Sequence, residues 1–313
     1  MKAPAPGPLV SGSWLARHLD DTDLRIVHVS LDRTAYEQGH VPGAVFSDLH
    51  VDMATPGVRP ETGAAPRQYL LPTREETAEA LARWDVAPGS RIVFYDDAGQ
   101  GRHAIRGYWL LRLYRFPKDL VHVLDGGLPV WQAEGRAMTA AEPPAGGANP
   151  RPGVADADPT DAPAEPSAAG TATELLGQRD AALIATTEEV LAWSREASVR
   201  GGPTRLLDVR LIDEFLGHDV RAARGGRIPG ARHRLFTDFV ASDGRLRPAD
   251  DILTIVKGSG VNPDELRATY CQGGIRAALA WFALSEIAGL TQVRNYAESW
   301  EEWGNRPDLP VEQ

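Results

Sequence analysis

Apolar positions along this chain fall into two series that run in the same order. Each series opens with a short helix-like segment and then a β-rich run, Leu24 to Ser30 in the first and Thr204 to Val209 in the second. A Pro-Gly-Ala turn follows in each, at Pro42-Gly43-Ala44 and at Pro229-Gly230-Ala231. A second apolar strand comes next, Arg91 to Tyr95 and Leu266 to Tyr270, and a helix rich in Trp and Leu follows it, Ile105 to Leu113 and Ala277 to Ile287. Each series closes with a strand and a Trp-bearing turn: Val121 to Leu124 with Trp131, and Val293 to Tyr296 with Trp300 and Trp303. Strands alternating with helices predict an α/β fold with mainly parallel sheets flanked by helices. The repeat predicts two such domains in tandem, arisen by duplication. In sheets of this kind, sites form at the carboxyl ends of strands, where loops meet helix N-termini.

Composition supplies the boundary. Of the 33 positions from 141 to 173, 21 are Ala, Pro or Gly and none is aromatic. Such a stretch buries too little apolar surface to offset the entropy of ordering it. It predicts a linker over 141–175 between domains at 9–140 and 176–313. No window approaches 18 uninterrupted apolar residues, so no transmembrane helix is expected. The start, Met1 to Val10, lacks the apolar core of a secretory signal. A net charge of −10 argues against an electrostatic grip on nucleic acid or on an anionic membrane. Cys271 is the one cysteine, which excludes an intramolecular disulfide and a thiolate zinc site. The histidines, at 18, 28, 40, 50, 103, 122, 218 and 233, show no metal-ligand spacing. The expectation is a soluble cytoplasmic protein without a metal.

Cys271 ends the strand Leu266 to Tyr270 and opens the loop Cys271-Gln272-Gly273-Gly274-Ile275-Arg276, after which an Ala-rich helix starts at once. Two glycines let such a loop curl tightly with backbone N–H groups pointing inward, and the helix start adds partial positive charge. Both favour a thiolate, the nucleophilic form of cysteine. A lone cysteine is more often a small buried hydrophobe, but strand, cysteine, paired glycines, arginine and helix in this order point to chemistry.

With these motifs the chain resembles the tandem-domain rhodaneses, the thiosulfate and 3-mercaptopyruvate sulfurtransferases. Gly39-His40-Val41-Pro42-Gly43-Ala44 resembles the family's Gly-His-Ile-Pro-Gly-Ala turn. Asp125-Gly126-Gly127 through Trp131 and Tyr296 through Gly304 resemble its Asp-Gly-Gly…Trp and Tyr-Asp-Gly-Ser-Trp…Glu-Trp-Gly segments. The resemblance implies two rhodanese-like domains, the second catalytic through Cys271 on its six-residue loop and the first silent. Aligning the second strands sets Asp96 where Cys271 sits, as a structural or interface carboxylate. The implied reaction moves sulfane sulfur from a small anionic donor to a small thiol or cyanide through a Cys271 persulfide, without a cofactor.

Arg210, at the end of its strand, resembles the family arginine that holds the donor, and a guanidinium fork suits oxyanions. Arg276 is expected either to contact donor oxygens or to brace the loop. Arg221, Arg224, Arg227, Arg232 and Arg234 form a basic run that is either a funnel for small anions or a solvated loop. Arg227 stands where the family turn carries His. His40 is expected to brace its own turn. Thiosulfate is the expected donor over 3-mercaptopyruvate. Loops of the mercaptopyruvate enzymes tend to carry hydroxyls at the third and sixth positions, held here by Gly273 and Arg276. The match to thiosulfate enzymes is imperfect as well, since their loop commonly has cations at the second and third positions, held here by Gln272 and Gly273. Phosphatases and arsenate reductases of related fold put five residues between Cys and Arg. Four intervene here, which leaves the cradle one amide too small for a tetrahedral phosphate. A persulfide carrier or scaffold without turnover remains the other alternative.

Overall fold

The structure, a computed structural model, describes residues 6–57, 67–141, 172–199 and 202–313. The first domain is built on a five-stranded sheet in the spatial order Leu9–Val10, Val121–Leu124, Arg91–Asp96, Leu24–Ser30, Ala44–Asp48. Every adjacent pair in it is parallel. The second sheet repeats four of these places with Arg294–Asn295, Ala268–Tyr270, Leu206–Asp208 and Arg232–His233, again all parallel. Continuous apolar strands such as Arg91–Asp96, buried from Ile92 onward, are what a sheet covered on both faces requires. The predicted helix Ile105 to Leu113 starts earlier, at Arg102. The predicted helix Ala277 to Ile287 is α-helical over Ile275–Trp281 and widens into a π-helical turn over Phe282–Ile287.

The duplication extends to the turns. The Val41 amide donates to the Tyr95 hydroxyl at 3.1 Å, and the Ile228 amide donates to the Tyr270 hydroxyl at 3.2 Å. His40 exchanges backbone hydrogen bonds with Thr139, and Arg227 does the same with Glu312. His40 also stacks on Tyr36 at 3.8 Å and holds its carbonyl at 2.8 Å, so it braces the turn as expected. Arg227 reaches the same end by another route, pairing its guanidinium with the Glu312 carboxylate at 2.5 Å.

Residues 142–171, most of the expected linker, lie outside the described residues. From Ala172 onward the chain packs on the first domain: Ala172 and Leu176 are buried, and Arg74 Nη2 donates to the Thr173 carbonyl at 2.7 Å. The two domains meet where helix Arg102–Leu113 packs against Ile275–Trp281, with Tyr108 edge-on to Phe282 at 4.9 Å. One continuous apolar core runs through this contact. An antiparallel pair, Thr55–Gly57 with Arg67–Leu70, reaches from the first domain onto the second. Arg67 there pairs with Glu298, Glu301 and Glu302.

Candidate active site

Cys271 emerges from strand Ala268–Tyr270 into a loop held from beneath by helix Ser299–Trp303. Its amide donates to Ser299 Oγ at 3.1 Å, and its carbonyl accepts from the Trp300 amide at 3.0 Å. The Gln272 carbonyl accepts from Glu301 at 2.8 Å. These bonds turn the chain so that the Gly274 amide donates to Cys271 Sγ at 3.1 Å. Gly274 needs its glycine: its φ is +81°, and a Cβ there would lie 2.6 Å from the Ala297 carbonyl oxygen. Of the inward-pointing amides expected of this loop, the Gly274 N–H is the one that bonds to sulfur.

The sulfur lies at the floor of a cavity of about 560 Å³ between the domains. The first domain contributes His50, Tyr69, Arg102 and His103 to its wall, and the second contributes Arg221, Phe236 and the loop itself. Tyr69 lies directly on Gly273. Burial, and then the adjacent Arg102, pull the His103 imidazole down to about 4, so it is neutral at pH 7. Its Nε2 accepts from Arg102 Nε at 3.2 Å. Among the described residues, Arg102 pairs with no carboxylate; its Nη1 donates to Gln100 Oε1 at 2.7 Å.

Arg276 turns to a carboxylate rather than to the loop's own carbonyls. Its two terminal nitrogens meet the two oxygens of the buried Glu214 at 2.6 and 2.9 Å. Arg221 Nη1 approaches the same carboxylate at 3.3 Å. Burial alone would raise Glu214, but the Arg276 hydrogen bond and charge outweigh it and hold the carboxyl below its ordinary value. Arg276 still lines the cavity, so the donor contact expected of it is geometrically open. Arg221 also accepts Gln272 Nε2 on its carbonyl at 2.9 Å, which ties the basic segment to the loop.

Arg210 is not placed as a donor-binding arginine would be. It is 1% exposed and absent from the cavity wall. Its Nη2 bonds Asp208 Oδ2 at 2.6 Å and the Gly226 carbonyl at 2.8 Å, and the guanidinium lies over Trp300 at 4.6 Å. The reason is Asp208, a fully buried carboxylate two residues earlier, which needs a charged partner and takes this one. The five-arginine run is likewise divided. Arg221 alone of the five lines the cavity, whereas Arg224 is spent on backbone carbonyls, including Trp303 O at 2.8 Å. Asp96 is structural, as expected: it is fully buried and accepts the His103 amide at 2.9 Å.

A family model for the rhodanese-like domain matches twice, over residues 11–134 and 186–306. The chain belongs to the rhodanese family. A probable 3-mercaptopyruvate sulfurtransferase of Pseudomonas aeruginosa is 35% identical, over 97% of both chains. A thiosulfate sulfurtransferase of Corynebacterium glutamicum is 30% identical, over 98% of this chain and 91% of its own. The solved structure of SseA from Escherichia coli superposes with a TM-score of 0.68 at 24% identity, over 94% of this chain and 99% of its own, and shows the shared fold. This rhodanese is thus a sulfurtransferase with two rhodanese domains.

Sequence reasoning about this rhodanese missed the first domain's share of the site. Tyr69, Arg102 and His103 are far from Cys271 in the chain and carry no motif. One signal was available. Asp96 aligns with Cys271, so the loop after Asp96 stands in the first domain where the Cys loop stands in the second.

Proposed function

We propose that this sulfurtransferase takes sulfane sulfur from a compact anionic donor, thiosulfate in preference to 3-mercaptopyruvate, and passes it to cyanide or a small thiol through Cys271. The observation that carries the reading is the Gly274 amide 3.1 Å from Sγ, at the floor of a cavity walled by Arg102, Arg221 and Arg276. The thiolate attacks the outer sulfur of thiosulfate. A new S–S bond forms, the donor S–S bond breaks, and sulfite leaves with the electron pair. The acceptor then attacks the terminal persulfide sulfur, and the Cys271 thiolate is restored as thiocyanate or a new persulfide departs. This is double displacement through a covalent intermediate, and it balances without an oxidant or reductant. The Gly274 N–H is aimed at Sγ, which carries the charge before the first transfer; afterwards the charge sits on the outer persulfide sulfur.

Donor preference follows from what the Cys271 loop lacks. Gly273 and Arg276 offer no hydroxyl to orient a keto acid, and Arg210 is committed to Asp208. A compact dianion gains from cations alone, whereas a keto acid must also be oriented. The 3-mercaptopyruvate reading is favoured by the Pseudomonas aeruginosa relative. Two measurements test the proposal. After incubation with thiosulfate, the intact mass should rise by one sulfur atom on Cys271, and Cys271→Ser should take up none. With cyanide as common acceptor, kcat/KM should be higher for thiosulfate, and a higher value for 3-mercaptopyruvate would reverse the preference. Sulfur uptake from a partner protein, with no turnover of any small donor, would make the chain a carrier instead.

A further inference from the structure

Arg106 belongs to the first domain and lies on helix Arg102–Leu113, at the contact with the helix that follows the Cys271 loop. It is fully buried, on an interface that sequence alone would call apolar. Nε donates to the Met53 carbonyl at 3.1 Å, Nη1 lies 3.5 Å from the Gly274 carbonyl, Nη2 has no hydrogen-bond partner, and the guanidinium lies over the Trp109 ring at 4.8 Å. Among the described residues no carboxylate stands within ion-pair distance of it. A buried guanidinium left in this state is costly, and its natural remedy is an anion close by. Burial draws Arg106 down to about 10, and of the groups that oppose this, Cys271 is the strongest, ahead of Glu298 and Tyr114. Arg276, the other guanidinium beside the sulfur, already has Glu214 as its counter-charge. Gly274 joins the two observations. Its carbonyl is held by Asn295 Nδ2 at 3.1 Å and faced by Arg106, while its amide points at Cys271 Sγ.

We propose that Arg106 is a positioning residue lent by the silent first domain: its buried guanidinium fixes the Gly274 peptide and supplies the counter-charge for the anionic Cys271 sulfur. This rests on the sulfur-transfer reading for its purpose but not for its test. Alkylation of Cys271 by iodoacetamide needs no sulfur donor, so the two can fail separately.

The experiment follows alkylation rate from pH 5 to 9 in the wild type, R106Q, R106M and R106K. Gln keeps hydrogen-bonding capacity and loses the charge. In R106Q and R106M the rate on the rising limb should fall about tenfold, the size of a one-unit displacement of the profile. The rising limb should move to higher pH and the plateau rate should stay the same. R106K should return to within about threefold of wild type. A limb that stays in place in R106Q, or a uniform loss at every pH that Lys does not rescue, overturns the proposal. A reciprocal measurement needs no Arg106 variant. The melting temperature of wild type relative to C271S should rise with pH, because the thiolate that neutralises Arg106 forms only in the wild type. A difference that stays flat across the range would overturn the pairing even if the Arg106 variants fail to fold.

Discussion

Gly273→Ala is the smallest change that tests how the two domains meet at the site. The new methyl would lie 2.3 Å from Tyr69 Cδ2, 2.4 Å from Cγ and 2.5 Å from Cβ. Rotating the ring cannot relieve this, because the Tyr69 Cβ is itself too close. The backbone beneath it is also pinned. Glu301 accepts the Gln68 and Tyr69 amides at 2.7 and 3.2 Å, and Arg67 is enclosed by three carboxylates. Overpacking of this kind costs about 1–3 kcal/mol, and a site that cannot yield should reach the upper half, about 2–3 kcal/mol. If relief comes by displacing the Cys loop, that is about 30- to 150-fold in kcat/KM. Urea titration followed by tryptophan fluorescence reads stability, and thiosulfate turnover reads the loop. Tyr69→Ala retains the offending Cβ, so it should not rescue. Tyr69→Gly should, giving a coupling of about 1–2 kcal/mol in the double-mutant cycle. An unchanged midpoint together with kcat/KM within twofold of wild type would refute the contact.

Arg210→Ala should strip the buried Asp208 of its partner and cost about 3–5 kcal/mol of stability. The protein that stays folded should keep kcat/KM within about threefold by the same argument from its absence at the cavity wall; a large kinetic loss at normal stability would return Arg210 to donor binding. Arg102→Ala removes a cavity cation that has no carboxylate partner among the described residues, and should lower kcat/KM for thiosulfate about ten- to a hundredfold, with high salt narrowing the gap. Equal activity would confine the donor to the second domain. Burial lowers His28 and His103 from 6.5 to about 4. Each is neutral in the folded chain and charged in the unfolded chain between those values. Stability is therefore full above pH 6.5 and falls towards pH 4, by about 3 kcal/mol per histidine. His28→Phe should remove about half of this fall. A wild-type and variant pair with the same pH slope would show that His28 is not buried neutral.

What was legible in the sequence was whatever repeats or is local. Both sheets, both turns and the Cys loop are set by contiguous runs, and the two copies support one another. Arg210 misled because a strand-end arginine looks the same whether it faces a cavity or a carboxylate. The local clue was Asp208, two residues away. Tyr69, Arg102 and Arg106 were invisible for a different reason, since their role depends on the contact between domains, which no period or motif encodes. That contact also explains what the first domain does without a cysteine. Asp96 cannot serve as a nucleophile for sulfane sulfur, but it accepts the His103 and Ala104 amides at 2.9 and 3.3 Å and so caps the first turn of the helix Arg102–Leu113. The first turn of that helix then sets Arg102 and His103 on the cavity wall, and the next sets Arg106 against Gly274. A capping carboxylate in the position that matches Cys271 thus makes the first domain's loop the opposite wall of the second domain's site. Losing that cap should therefore disturb the Cys271 site across the interface although no residue of the second domain is substituted.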